Sequence, residues 1–435
     1  MTLTSARIVV ALVLALGVGL SVPVSAAGRQ TFEDLVANLK SPNAKTRQES
    51  AAALAKSRRR EAIPPLSALV HDPEVKVRME VVRALNQLRD VSAVPALVTS
   101  MGDGDPKIRE EAIGALVEIY AERDRTTAVT RYLDVFSDEY DRASVPPYAA
   151  VDASVFRALA DALRDPEGDI REQAALAIGI LDGKGVVKDL VSALQDPDPD
   201  VRGASATAIG KVGATEDGLA LLPLLSDENA GVRTRVLKAI GTLRLKDAGP
   251  PLRTMFEANR KREAGTKILE CLSRIGDASQ ADLFRELTGD ADLERRRLAV
   301  EGLGRISDPG MLAAFKKDYQ REKNDEMKLA YAFALTLLGD RAFLDSIVLG
   351  LPSRLHGSRC RRYLLEMGKP ALPELYPYLN DPDEDVRAEL TDAIAAVGDP
   401  QSIATLQPLI ADPSRKVSDR ANRAVERLRR HSGQQ

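Results

Sequence analysis

Tryptophan is absent from the 435 residues, and Phe and Tyr bring the aromatic fraction to only 4%, although 44% of the chain is hydrophobic. The apolar mass is therefore mostly Ala, Leu, Val and Ile. Side chains of that size suit closely packed helices, whereas a barrel or sandwich core usually contains more aromatics. Histidine is nearly missing as well. His71, His356 and His431 are scattered, and no His-Glu pair, H-x-x-x-H or C-x-x-C spacing occurs. A metal site needs convergent ligands, so neither a metal nor another cofactor is expected. No glycine-rich phosphate loop and no G-x-S-x-G elbow appears. The sequence nominates no catalytic residue.

An excess of one charge is also missing. Lys and Arg number 61 against 64 Asp and Glu, a net charge of -3. That balance argues against a general nucleic-acid binder and against an acidic solvating chain. Long apolar runs are confined to the start. Arg7 gives a positive beginning, Ile8 to Leu20 is an uncharged run of thirteen residues, and Ser21-Val22-Pro23-Val24-Ser25-Ala26 supplies a small-residue cleavage region. Residues 1–26 read as an export signal cut after Ala26, with an uncleaved anchor as the rival reading. Thirteen residues at about 1.5 Å each fall short of a hydrocarbon core about 30 Å thick. Export implies a periplasmic or secreted protein. The two cysteines, Cys271 and Cys360, lie about three repeats apart in the scheme below, which exceeds the disulfide limit of about 7 Å between Cα atoms. They are expected to be free, buried thiols.

What is present in abundance is a repeat. Asp196-Pro197-Asp198-Pro199-Asp200-Val201-Arg202 is echoed by Asp165-Pro166-Glu167-Gly168-Asp169-Ile170-Arg171, and the two arginines are 31 residues apart. The same slot falls on Arg47, Arg78, Arg109, Arg171, Arg202 and Arg233, then on Gly265, Arg296, Lys328, a blurred position near Gly357, Arg387 and Ser418. Six residues before the slot stands an acid: Asp72, Asp103, Asp165, Asp196, Asp227, Asp290, Glu322, Asp381 or Asp412. The Asp-Pro step ends one helix, and a second acid such as Asp169 or Asp200 is expected to cap the next. From Val201 the apolar positions 201, 205, 208, 209 and 212 follow helical spacing. Small residues at 204, 205, 206 and 208 let neighbouring helices approach, and Gly213 is a natural stop. A further proline (Pro64, Pro95, Pro251, Pro373) is expected to bend the first helix of its pair. The Asp/Arg slots read best as a structural ladder, with charge-assisted bonds across the stack. A stacking residue must recur in every repeat, and a binding residue need not.

The pattern Asp-Pro-x-x-x-Val-Arg-x-x-Ala-x-x-Ala-Leu-Gly-x-Leu-Gly resembles the HEAT repeat, best over Asp72 to Leu88, Asp165 to Gly179, Asp196 to Gly213 and Asp381 to Gly398. The 31-residue period is similar to its short bacterial form, the phycobilisome-lyase-like type. The resemblance implies an all-α solenoid of about twelve stacked helix pairs in a right-handed superhelix, with the second helices lining the concave face. It is almost silent on chemistry. HEAT-like di-iron hydroxylases use repeated His-Glu pairs, which this chain lacks. A bilin lyase activity is allowed, but no residue supports it. HEAT-like DNA glycosylases use a basic, aromatic concave face, and nucleic acid is not expected here.

The organisation then reads as an export signal (1–26), N-terminal repeats (27–120), an irregular repeat or aromatic loop (121–150), further repeats (151–430) and a tail (431–435). The 121–150 stretch has no Arg slot but holds Tyr132, Phe136, Tyr140 and Tyr148 around Pro146-Pro147. It is either a decayed repeat or a loop that recognises a partner. A second candidate surface is basic: Arg235, Lys238, Lys267, Arg274, Arg297 and Arg305, on open positions of the second helices. The expected function is a non-catalytic scaffold of the cell envelope, holding a protein or peptide on its concave face. The alternatives are a lyase-like enzyme or its accessory subunit, or an envelope protein that binds an anionic polymer through 253–305.

Overall fold

The structure, a computed structural model, describes residues 30–121, 151–213 and 215–431. The export signal and the 132–148 aromatics lie outside them. Among the described residues all regular structure is helical, in consecutive pairs that form an α-solenoid. The second helices are Ala44–Lys56, Val75–Leu88, Pro106–Tyr120, Gly168–Ile180, Pro199–Val212, Ala230–Leu243, Glu263–Ile275, Leu293–Ile306, Asp325–Leu337, Gly357–Met367, Glu384–Val397 and Arg415–His431, twelve among the described residues. The first helices are shorter and often begin as a 3-10 turn, as in Val91–Ala93 before Val94–Ser100.

Local chemistry explains the pairing. Asp196 accepts the N–H of Asp198, and Asp198 then accepts the N–H of Asp200 to cap Pro199–Val212. The cap is thus Asp198, with Asp200 inside the first turn. Asp169 likewise lies in the first turn of Gly168–Ile180, which has no side-chain cap. The earlier prolines start helices and do not bend them. Pro64, Pro95 and Pro373 occupy the second position of theirs and Pro251 the third, all in the first turn, where the missing N–H has no intrahelical partner to lose.

Second helices pack closely because glycine faces alanine. A Cβ on Gly179, Gly210 or Gly304 would stand 2.9, 2.9 or 2.6 Å from the Cα of Ala208, Ala239 or Ala334 on the next second helix. Helix ends are left-handed at Gly213, Gly276 and Gly398, but Arg58, Arg89 and Arg244 occupy the same conformation. An L-residue is strained there. Replacing exposed Arg58, at φ 53°, by glycine should therefore stabilise the N-terminal repeats by about 0.5–1 kcal/mol net of glycine's greater chain entropy. Thermal unfolding monitored by circular dichroism checks this.

Two departures from regular stacking matter for function. First, Pro106–Tyr120 packs directly on Gly168–Ile180, so the repeats on either side of 122–150 are neighbours. Second, the buried apolar core divides at Asp325–Leu337. Met327, Ala330 and Tyr331 belong to the core that precedes it, and Leu329, Ala332 and Phe333 to the core that follows.

Candidate functional site

The face on which the second helices converge is the candidate site, and the ladder beside it is the scaffold that sets its geometry. Arg47, Arg78, Arg109, Arg171, Arg202 and Arg387 each donate two bonds, Nε and Nη2, to the carboxylate of Asp72, Asp103, Asp165, Asp196, Asp227 and Asp412 in the next repeat. Nη1 of each arginine holds the carbonyl six residues back, as Arg202 holds Asp196 O at 2.9 Å. The arginine side chains are at most 16% exposed. All three guanidinium nitrogens of each are engaged within the stack, so the ladder arginines serve the fold and not a binding surface.

The ladder is not continuous. Arg233 and Arg296 hold the carbonyls of Asp227 and Asp290 at 2.6 and 2.7 Å, but 25 residues further on stand Ala258 and Arg321 in place of an acid. Asp290 and Asp381 accept the N–H of Asp292 and Asp383, and their repeats lack the preceding arginine. These four residues are therefore half-rungs.

The hydrogen bond from Arg202 holds the Asp227 carboxyl below its ordinary range, against an opposing push from burial, and Arg387 does the same for Asp412. A lowered folded-state pKa contributes stability that is present above the unfolded value of about 3.9 and lost as pH falls through the folded value. Unfolding on acidification should therefore set in below about pH 4, in the repeats that carry full rungs. In the variant Arg202→Met the part of that acid transition due to Asp227 should shrink to what the Asn229 N–H and the Arg233 charge still hold. Circular dichroism against pH checks both.

Contacts between non-neighbouring repeats can form only inside the curve of the stack, and they identify the inner face. Arg235 lies 4.0 Å from Glu172 and 3.8 Å from Asp200. By the 31-residue step, the same face carries Glu49, Glu80, Arg83 and Glu111 in the first three repeats. Glu49 is 67% exposed and Arg83 58%. Over these repeats the face is open to solvent.

Farther along it is filled. Leu293–Ile306 carries Arg297, Glu301 and Arg305 one turn apart. Both arginines pair with Glu301, and Arg297 also pairs with Glu294. Tyr363 donates to Glu301 at 2.6 Å. Arg305 donates to Glu366 at 2.7 and 3.0 Å and to Ser273 at 2.7 Å, and lies over the Phe333 ring, itself stacked on Tyr363. Arg244 adds a bond to Glu366 at 2.9 Å. Burial alone would push the Glu301 carboxyl up, but Arg305 and Arg297 outweigh it and hold it below the ordinary range. Burial and the Glu301 charge raise Tyr363 well above its usual value.

This network corrects the basic patch. Arg297 and Arg305 are buried and paired, because their long side chains satisfy carboxylates inside the stack, so no partner can reach them as a surface. Arg235 is mostly enclosed between Glu172 and Asp200. Lys267 and Arg274 are partly exposed and pair with Glu263 and Glu270 one turn earlier on their own helix. Lys238 is exposed. The sequence reading missed Glu301, Tyr363 and Glu366. The Arg-x-x-x-Glu-x-x-x-Arg spacing of 297, 301 and 305 was the available signal.

Cys271 and Cys360 are free and buried, and burial pushes the Cys360 thiol up to about 11. Among the described residues no helix is long and apolar enough to cross a membrane, and no three metal-ligating side chains converge. A shallow hollow of about 530 Å³ opens between the first helices of the second and third repeats, lined by Ile63, His71, Ser92 and Thr99.

No curated protein matches the chain. Yeast importin-beta is 12% identical, covering 92% of this chain and 62% of its own, with a TM-score of 0.49. The complex of CpcE and CpcF of phycocyanin lyase from Nostoc sp. is 20% identical over 66% of this chain and 98% of its own, with a TM-score of 0.29. An engineered protein is 19% identical over 92% of this chain and 98% of its own, with a TM-score of 0.36. These likenesses carry no activity across. HEAT repeats match residues 32–117, 76–144, 156–222 and 358–429, more than half of the sequence. With that match and the stacked helix pairs just described, the chain belongs to the HEAT-repeat family.

Proposed function

We propose that the chain is an exported, non-catalytic scaffold of the cell envelope that binds a protein on its inner face, and that the binding stretch is the N-terminal half. One observation carries the choice of stretch. The inner face is open along Ala44–Lys56, Val75–Leu88 and Pro106–Tyr120, with Glu49 and Arg83 well exposed, whereas around Leu293–Ile306 it is occupied by the chain's own side chains. A track of mixed charge and small residues on rigid helices favours a macromolecular partner over a small molecule, for which an enclosed apolar pocket would be the usual host. Residues 1–26, read from sequence as an export signal, support the envelope as the place.

The test is cross-linking and affinity capture of the tagged mature chain from the envelope fraction. A dominant protein cross-linked to lysines of the open stretch such as Lys45 or Lys56, and weakened by Arg83→Glu, is the expected outcome. Recovery of the chain alone, or cross-links confined to outer positions such as Lys188, would sink the reading.

A further inference from the structure

A ladder rung joins one repeat to the next. The network around Glu301 reaches farther. Glu366 accepts bonds from Arg305, 61 residues earlier, and from Arg244, 122 residues earlier. Tyr363 reaches Glu301 across 62 residues. Two and four repeats are spanned, and every one of these bonds ends on Gly357–Met367.

That helix is also where the stack is thinnest. The apolar core divides just before it, at Asp325–Leu337. Gly357–Met367 touches its neighbouring second helices along fewer residues than the earlier ones touch theirs. The first helix of its pair, Leu344–Val348, has five residues. The chain that follows leaves Leu349 55% and Leu355 85% exposed. No rung crosses the junction, because Gly357 stands in the arginine slot. Apolar burial and the ladder, which bind the other repeats to each other, are both weak here. Side-chain contacts take their place: Arg359 pairs with Glu326 and Tyr363 stacks on Phe333 of the adjacent second helix, and the remaining bonds come from distant repeats.

We propose that residues 344–431 form an arm that swings at this junction, and that Tyr363 and Glu366 clasp it closed against Glu301, Arg305 and Arg244. The distribution of charge suits a reversible clasp. When the arm leaves, Glu301 stays with Arg297 and Arg305 on its own helix, so the body keeps its buried charges paired. Of the bonds that break, those from Arg244 and Arg305 end on Glu366, which is 22% exposed, and the buried one, from Tyr363 to Glu301, is donated by a neutral hydroxyl. Breaking them does not strand a lone charge in an apolar core, which would lock the arm shut. Closed, the clasp fixes the curvature of the solenoid and covers the inner face of the central repeats. Open, it uncovers that face. The inference rests on these bonds and on the thin packing of the junction, and holds whether or not the N-terminal inner face binds a protein.

The experiment is hydrogen exchange with small-angle X-ray scattering on the full chain, for the wild type, Arg244→Ala and Glu366→Gln. Arg244 is half-exposed, so its removal tests the clasp even where the glutamate variant folds poorly. Amide exchange in Gly357–Met367 is expected to rise about tenfold to hundredfold. The radius of gyration is expected to grow, while helices before Leu243 keep their protection. Arg387→Met, which removes a rung beyond the junction, should leave the radius unchanged. Unchanged scattering in both clasp variants overturns the proposal, as does faster exchange spread evenly over all repeats.

Discussion

Glu301→Gln is expected to destabilise the central repeats by about 3–5 kcal/mol, because it leaves two buried guanidiniums without their shared carboxylate. The glutamine fills the same volume, so the loss is one of charge. Arg297 retains Glu294 and Arg305 retains Glu366, but both of those carboxylates lie nearer solvent than Glu301, which is 4% exposed. The reporters are already in the chain. Cys271 and Cys360 are both buried and lie in the second helices that carry Ser273 and Tyr363 of this network. A loss of that size raises the population of locally opened states by more than about a hundredfold, and the labelling rate of both thiols should follow. Equal labelling in variant and wild type would show that Glu301 contributes no stability. Replacing all three residues together, as Arg297→Met, Glu301→Leu and Arg305→Met, should recover much of the loss, since well-packed apolar side chains can substitute for a buried ionic triad.

Gly265→Arg should be as damaging, although it restores the arginine that the repeat pattern asks for. At full rungs the arginine holds the carbonyl six residues back at arm's length, as Arg171 holds Asp165 O at 2.8 Å. At residue 265 that carbonyl, of Asn259, has moved onto the helix itself, and a Cβ would stand 2.4 Å from it. The same holds at Gly357, where Leu351 O would be 2.3 Å away. A backbone atom cannot yield as a side-chain tip can, so even Gly265→Ala should cost about 2–3 kcal/mol, with the arginine costing more. Denaturant unfolding of Gly265→Ala and Gly265→Arg against the wild type decides this. A stabilised arginine variant would mean that the pattern and not the local backbone rules the site.

These two sites mark where the sequence stops being legible. The helix pairs were readable because each repeat folds by local rules. Acid before proline, apolar spacing and terminal glycine are all written within 31 residues. The six full rungs could be expected from recurrence alone. The Glu301 network could not, because its members come from repeats two and four periods apart, and a nearest-neighbour pattern carries no information about curvature. The same blindness made Arg297 and Arg305 look like open surface. Helical spacing shows which residues share a face, and only the packing of distant repeats shows whether that face meets water. Phe256, Phe284, Phe315 and Phe333 make the point in apolar terms. All are fully buried, and Gly302 leaves the room that the Phe284 ring occupies, a pairing that no period announces.

The rung between Arg109 and Asp165 has a kinetic consequence. Other rungs close a chain segment of 25 residues, and this one closes 56. The difference is one whole period, and Asp134 stands in the sequence where the ordinary count would put the partner. Closing the longer segment costs about 0.7 kcal/mol more in chain entropy. An array of this kind otherwise grows by adding each unit to its neighbour, with contacts near in sequence. At Arg109 growth must wait for a partner two counts away, while a residue of the right charge lies one count away. Residues 30–121 and 151–431 should accordingly assemble as separate blocks, and their joining should be the slow step of folding.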